Sequence, residues 1–172
     1  HKESPFFIYL CHNMTHNPLA ASPAFKGKSQ NGLYGDATEE LDWSMGVLLE
    51  TLKEEGLDQN TLIIFTSDNG ADEHFGGTNR PLRGQKGTTY EGGFRVPCIM
   101  RWPAKIPAGQ ETDNLVTSMD FLPTLAHYCG YAVPSDRVID GHNVSGILEG
   151  ESMASPTETF YYYQKQQLQA VR

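Results

Sequence analysis

Three short stretches of the sequence carry residue types that could do chemistry. Cys11-His12-Asn13-Met14-Thr15-His16-Asn17-Pro18 places two histidines after an apolar run. Ser67-Asp68-Asn69-Gly70 follows a second such run, and its adjacent Asp and Asn offer hard oxygen ligands to a divalent cation, with a glycine behind them that lets the backbone turn. The same residues also suit an Asx turn closing a strand. Gly84-Gln85-Lys86-Gly87-Thr88-Thr89 sets a lysine between glycines, where the backbone can pack closely and aim one ammonium at a bound anion. A lysine so placed beside a metal and a histidine makes an oxyanion clamp. Arg80, Arg83 and Arg95 reverse the charge locally around it, and for Arg80 and Arg83 the reading is ordinary surface cations. His12 is read as a hydrogen-bonded structural group or as pocket lining. His74, in Asp72-Glu73-His74-Phe75, is read as solvated or as facing substrate.

The elements that would position these residues follow from the apolar pattern. Phe6-Phe7-Ile8-Tyr9-Leu10-Cys11 and Thr61-Leu62-Ile63-Ile64-Phe65-Thr66 are unbroken runs of β-formers, which suits strands covered on both faces. Between them Leu41, Met45, Leu48, Leu49 and Leu52 recur every three or four residues and predict a helix over 36–55, stopped by Gly56. Strand, helix and strand in that order make a βαβ crossover. Ligands in such sheets bind beyond the carboxyl ends of the strands, where the histidines and Asp68 fall. Residues 67–93 show no hydrophobic period and hold seven of the chain's 17 glycines; a loop of that length is usually functional. A strand over 96–102 and a helix over 119–129 follow, the helix capped by Asp120, with Leu122, Leu125, Ala126 and Cys129 on one face and Gly130 at its end. Residues 133–155 are irregular. Residues 159–163 and 168–172 predict two antiparallel strands around a polar turn.

Composition limits the function classes. The 172 residues carry 13 Lys and Arg against 21 Asp and Glu, a formal charge of −8, which provides no basic field for nucleic acid or an anionic membrane. No apolar stretch approaches the roughly 20 residues of a membrane-spanning helix. A hydrophobic content of 38% supports a packed core rather than general disorder. Cys11, Cys98 and Cys129 lack metal-binding or redox spacing and are expected to be buried free thiols. Residues 1–5 lack the features of a secretory signal, so the expectation is a cytosolic chain or one cut from something longer. Asn13-Met14-Thr15 and Asn143-Val144-Ser145 are formal glycosylation sequons.

Phe65-Thr66-Ser67-Asp68-Asn69-Gly70, followed by the string Leu82-Arg83-Gly84-Gln85-Lys86-Gly87-Thr88-Thr89-Tyr90-Glu91-Gly92-Gly93-Phe94-Arg95-Val96-Pro97, resembles the type I sulfatases, particularly the branch of arylsulfatase A and N-acetylgalactosamine-6-sulfatase. Thr15-His16-Asn17-Pro18, Asp120-Phe121-Leu122-Pro123-Thr124-Leu125 and Asp140-Gly141-His142-Asn143 extend the resemblance, in the family's order, over nearly the whole chain. It implies an α/β fold similar to alkaline phosphatase: a mostly parallel sheet with flanking helices and the start of a small C-terminal antiparallel sheet. On this reading residues 1–132 are the later part of the catalytic domain, 133–156 an irregular connection and 157–172 the start of the C-terminal subdomain.

The implied activity is hydrolysis of sulfate esters by a hydrated formylglycine, with calcium holding that group and the sulfate oxygens. Carried onto this sequence, Asp68 and Asn69 would be calcium ligands and Lys86 would bind a sulfate oxygen. His16 would contact the sulfate or protonate the leaving alcohol, and His74 could face substrate. Carbohydrate sulfate is favoured over a simple aryl sulfate as substrate, because relatives on this branch mostly act on sulfated sugars and lipids. The sequence departs from the family in two respects. The modification signature, Cys or Ser, any residue, Pro or Ala, any residue, Arg, fits none of the three cysteines, and the family's pair of acidic ligands on its first strand is absent. The chain is therefore expected to hold half an active site, to be inactive alone, and to self-associate or pair with an N-terminal portion. Two other readings stand beside this one: an enzyme of the same superfamily that hydrolyses phosphate esters or transfers phosphoryl groups, and a non-catalytic binding or assembly protein.

Overall fold

The computed structural model describes residues 3–152 and 154–172. In chain order its elements are α1 (Gly32–Glu54), β1 (Ile63–Thr66), α2 (Glu91–Phe94), β2 (Cys98–Arg101), α3 (Phe121–Tyr128), α4 (Ser145–Leu148), β3 (Tyr161–Gln164) and β4 (Gln167–Val171). Single 3-10 turns lie at Asp58–Asn60, Glu73–Phe75 and Ser118–Asp120. The chain forms two compact units, His1–Thr61 with Phe65–Cys98 and Leu62–Ile64 with Ile99–Arg172. β1 and β2 pair in a two-stranded sheet.

In the first unit, α1 covers the predicted helix and begins four residues earlier. Asn31 precedes it without a side-chain cap; the ordering comes from Asp36 instead. The Asp36 carboxylate is buried and accepts the amides of Gly27 (2.7 Å), Lys28 (3.0 Å) and Ser29 (2.8 Å), so the preceding turn is folded back onto the helix. Glu40 does the same for the amide of Ser22 at 2.7 Å. The helix ends as the sequence predicts. Gly56 takes φ +71°, and Leu57 N donates to Leu52 O at 2.8 Å, the closing bond of a Schellman turn. Along the predicted apolar stripe Leu52 is buried, while Leu41, Met45, Leu48 and Leu49 are half-buried.

In the second unit, Trp102 and Tyr128 meet edge-on at 5.0 Å between ring centroids, with the Lys105 ammonium 4.9 Å and 5.1 Å from the two rings. α3 packs against α4, where Val144 N donates to Thr124 Oγ1 at 3.0 Å and Val144 and Ile147 are buried. β3 and β4 form the predicted antiparallel pair, with an irregularity between Tyr162 and Tyr163 and Lys165 in a left-handed conformation at the turn.

Several expectations are corrected. Residues 6–11 form no strand: Phe7 is 81% and Tyr9 82% exposed, so an apolar run that needs neighbours on both faces stays uncovered, and the βαβ crossover does not form among the described residues. β1 is half-buried rather than buried. Cys11, Cys98 and Cys129 are free, as expected, but exposed. Asp120 stands at the cap position of α3, as expected, but makes no side-chain cap bond to that helix. It sits three residues into the turn that starts α3, where Thr117 caps and the two side chains form a reciprocal capping box. The face of α3 that is buried carries Pro123 and Thr124; Leu122 and Cys129 are exposed. Residues 145–148 are helical inside the segment expected to be irregular. Among the described residues no helix is long and apolar enough to cross a membrane.

Candidate active site

The long loop, residues 67–93, is where the candidate residues of the first unit are organised, and it is laced by its own hydrogen bonds. Its ends are closed by Gly70 N donating to Gly93 O at 3.0 Å. A Cβ at Gly70 would collide with the carbonyl oxygen of Gly92, so the closure requires glycine there. Inside it, Asn79 clamps Ala71 from both sides. Its Oδ1 accepts Ala71 N at 2.8 Å, and its Nδ2 donates to Ala71 O at 2.9 Å. That same carbonyl accepts Lys86 N at 3.1 Å, so both of its lone pairs are used and the lysine backbone is fixed to the segment that follows Asp68-Asn69-Gly70. Gln85 Oε1 accepts Glu73 N at 3.1 Å, and Thr88 Oγ1 accepts Gln85 N at 3.1 Å.

Of the four cations over residues 80–95, two are engaged. Arg83 lies over the Tyr90 ring, 4.0 Å from its centroid, and Arg95 pairs with Glu91 at 3.9 Å. Lys86 is exposed and makes no ion pair among the described residues, which leaves its ammonium free to meet an anion. Asp68 is also exposed. Unlike Asp36 and Asp120, whose oxygens are consumed by backbone amides, its carboxylate takes no hydrogen bond among the described residues. The Tyr9 hydroxyl is raised above its ordinary range mainly by its hydrogen bond with Cys11, with a smaller contribution from the Asp68 charge. Asn69 is half-buried, and Ser67 Oγ donates to its carbonyl at 2.9 Å.

His16 is exposed, with Nδ1 2.9 Å from Asn17 O. The carbonyl can only accept, so Nδ1 carries the proton and Nε2 faces outward. His12 is exposed as well. His74 Nδ1 lies 2.9 Å from Asp72 Oδ1, and that contact, together with the amide of His74, holds the Asp72 carboxyl below the usual carboxylate range. The structure thus brings His74 and Lys86 onto one laced loop with Asp68 and Asn69 at its entry. Among the described residues no three His, Cys, Asp or Glu side chains gather as a metal cluster. Sequence reasoning missed Asn79 and Gln85, because an Asn after Gly-Gly-Thr reads only as turn chemistry.

A family model described as Sulfatase matches residues 1–131. Human steryl-sulfatase is 45% identical over 178 residues, which cover 99% of this chain and 30% of that protein. The mouse N-acetylgalactosamine-6-sulfatase is 43% identical over 175 residues, covering 99% and 33%. Among solved structures, Ps i-CgsB in complex with k-i-k-neocarrahexaose superposes with a TM-score of 0.79 at 37% identity, covering 88% of this chain and 35% of that one. The PsFucS1 sulfatase from Pseudoalteromonas sp. gives 0.83 at 35%, covering 92% and 33%. The chain thus spans about a third of the length of the relatives it matches.

Proposed function

The chain belongs to the sulfatase family, and from that footing we propose that it serves the hydrolysis of sulfate esters, contributing the anion-binding lysine and part of a calcium site to a formylglycine-dependent centre. Lys86 carries the reading. Its ammonium makes no ion pair among the described residues and stands on a loop whose backbone is fixed by the Lys86 to Ala71 bond, and a positioned cation is worth most where a sulfate oxygen gains charge in the transition state. His16, its Nδ1 donating to Asn17 O, leaves Nε2 an acceptor in the neutral ring, so it meets a sulfate oxygen or the oxygen of the leaving alcohol only as the imidazolium, by donating the Nε2 proton.

Asp68 and Asn69 fit a calcium ion as two of its ligands, since both offer hard oxygens and the Asp68 carboxylate is not consumed by the protein. When bound, the ion supplies charge stabilisation to sulfate oxygens. Two side chains fall short of the six to eight oxygens calcium takes, so the 172-residue chain binds it weakly, in roughly the millimolar range at best. The nucleophile is not supplied here, because no cysteine or serine of the sequence opens the modification signature. The isolated chain is therefore inactive toward an aryl sulfate such as 4-nitrophenyl sulfate, even with added calcium. Turnover that Lys86→Ala abolishes would overturn this half-site reading. The substrate side is a sulfated carbohydrate or another sulfate ester, and nucleic acid is not a partner.

The test of the anion site is direct binding. Inorganic sulfate, followed by the ¹⁵N signal of the Lys86 ammonium, should shift that signal in the wild-type chain. Affinity should fall roughly tenfold or more in Lys86→Ala, the loss expected for one charge-assisted contact. A likeness to a phosphonate monoester hydrolase, at 27% identity and a TM-score of 0.62, makes phosphate the proper comparison. Tighter binding of phosphate than of sulfate would move the proposal to phosphate esters.

A further inference from the structure

The Asp72–His74 pair has the geometry of an oriented imidazole, and neither the anion site nor the metal ligands use it. Asp72 caps the 3-10 turn at Glu73–Phe75. One of its oxygens, Oδ1, accepts the His74 amide at 3.1 Å and lies 2.9 Å from His74 Nδ1. Gln85 Nε2 lies 3.4 Å from the same ring nitrogen. Two arrangements compete for Nδ1: donation to the carboxylate, or acceptance from the amide of Gln85. The carboxylate contact is shorter and charge-assisted, whereas a proton-free Nδ1 would set a lone pair against an anion. The Gln85 amide cannot turn around, because its Oε1 is held by Glu73 N. Nδ1 therefore carries the proton, and in the neutral ring Nε2 is left as an acceptor. The ring is 74% exposed, so Nε2 reaches solvent.

The ring's place in the loop gives that acceptor a target. Gln85, which braces Glu73 and touches His74, is the residue before Lys86, and Lys86 N is bound to Ala71 O, one residue before Asp72. His74 and Lys86 thus stand on two segments of one loop joined by hydrogen bonds. We infer that His74 Nε2 accepts a hydrogen bond from a hydroxyl of the alcohol whose sulfate is held by Lys86, with Asp72 as the positioning residue that fixes the ring's tautomer. This rests on the sulfate reading of Lys86 and adds a substrate class to it. A sugar sulfate carries hydroxyls beside its ester; a sterol sulfate presents hydrocarbon there and gives Nε2 no donor.

The experiment uses the 172-residue chain and long-range ¹H–¹⁵N spectroscopy of its imidazoles, with galactose 6-sulfate, galactose and inorganic sulfate as probes. In the free protein, at a pH where His74 is neutral, its ring should show the Nδ1–H tautomer, and Asp72→Asn should shift it toward Nε2–H without unfolding the chain. Galactose 6-sulfate should perturb both the Lys86 ammonium and His74 Nε2, whereas inorganic sulfate should perturb Lys86 alone. His74→Ala should weaken galactose 6-sulfate about tenfold, the worth of one good hydrogen bond, and leave inorganic sulfate unchanged. An Nε2–H tautomer in the wild type, or galactose 6-sulfate binding at Lys86 with His74 silent, would overturn the inference. Absence of any Lys86 response to inorganic sulfate would instead sink the sulfate reading, and the tautomer would still decide the role of Asp72.

Discussion

Single carboxylates divide into two kinds, and pH tells them apart. Asp36 is held below the usual carboxylate range by the amide of Gly27 first and then that of Ser29, with Lys28 adding to the effect against the opposing influence of burial. A carboxyl whose folded pKa is depressed stabilises the native state above its unfolded value, near 3.9, and that contribution is lost as pH falls through the folded value. Asp36→Asn should therefore lower the Tm at neutral pH and flatten its decline as the pH falls below about 4. Melting curves across that range check it. An unchanged acid limb would mean that the Asp36 turn persists without its charge. Thiols divide in a similar way. All three cysteines are exposed and should react with a thiol reagent in the native protein, but partial enclosure of its sulfur raises the Cys98 thiol, a trend that its hydrogen bond with Thr66 only opposes. Cys98 should be the slowest of the three to be modified, because the thiolate is the reactive form. Time-resolved mass mapping of the modified peptides reads this order.

At the scale of elements, hydrogen bonds that cross between segments do the positioning. Asp120 is fully buried and accepts Thr117 N at 2.7 Å and His142 N at 2.8 Å, joining the start of α3 to the turn before α4. Asp120→Ala strands two amides and should destabilise the protein by about 1–3 kcal/mol for each that water does not reach. In the long loop, Asn79→Ala removes both bonds to Ala71; hydrogen exchange at Ala71 and Lys86 should accelerate together, since the two amides depend on one clamp. Helix α1 and the β3–β4 pair were legible in the sequence, because apolar spacing and a tyrosine run on either side of a polar turn are local signals. Residues 6–11 were misread, because an apolar run states only what a strand would need and not whether neighbours supply it. Asp68, Asn69 and Lys86 stood out by residue type beside glycine. The Asn79 clamp and the Gln85 brace did not, since they depend on which carbonyl meets which amide across eight to fifteen residues of irregular chain.

For the whole molecule, exposed apolar surface is the decisive feature. Phe6, Phe7, Ile8, Tyr9 and Leu10 form a contiguous run of exposed large apolar residues. Uncovered apolar surface and short unpaired sheets drive self-association, so sedimentation at micromolar concentration should show a dimer or larger. The formal charge of −8 opposes it. Raising the salt from about 0.05 M to 0.5 M should strengthen assembly rather than dissolve it, because screening removes the repulsion and leaves the apolar contact. A compact monomer with cooperative unfolding would show that these residues close their own core. The Asn79 clamp also bears on how such a molecule can change over generations. Ala71 and Asn79 shut off the tip between them, so extra residues inserted there, between Phe75 and Thr78, lengthen a ring that is already closed below the insertion. Doubling the length of a flexible ring costs only about 0.6 kcal/mol, and the Lys86 amide keeps its hold on Ala71 O throughout. The tip can therefore be lengthened, shortened or exchanged to suit a new alcohol while the anchor for the shared oxyanion stays where it is.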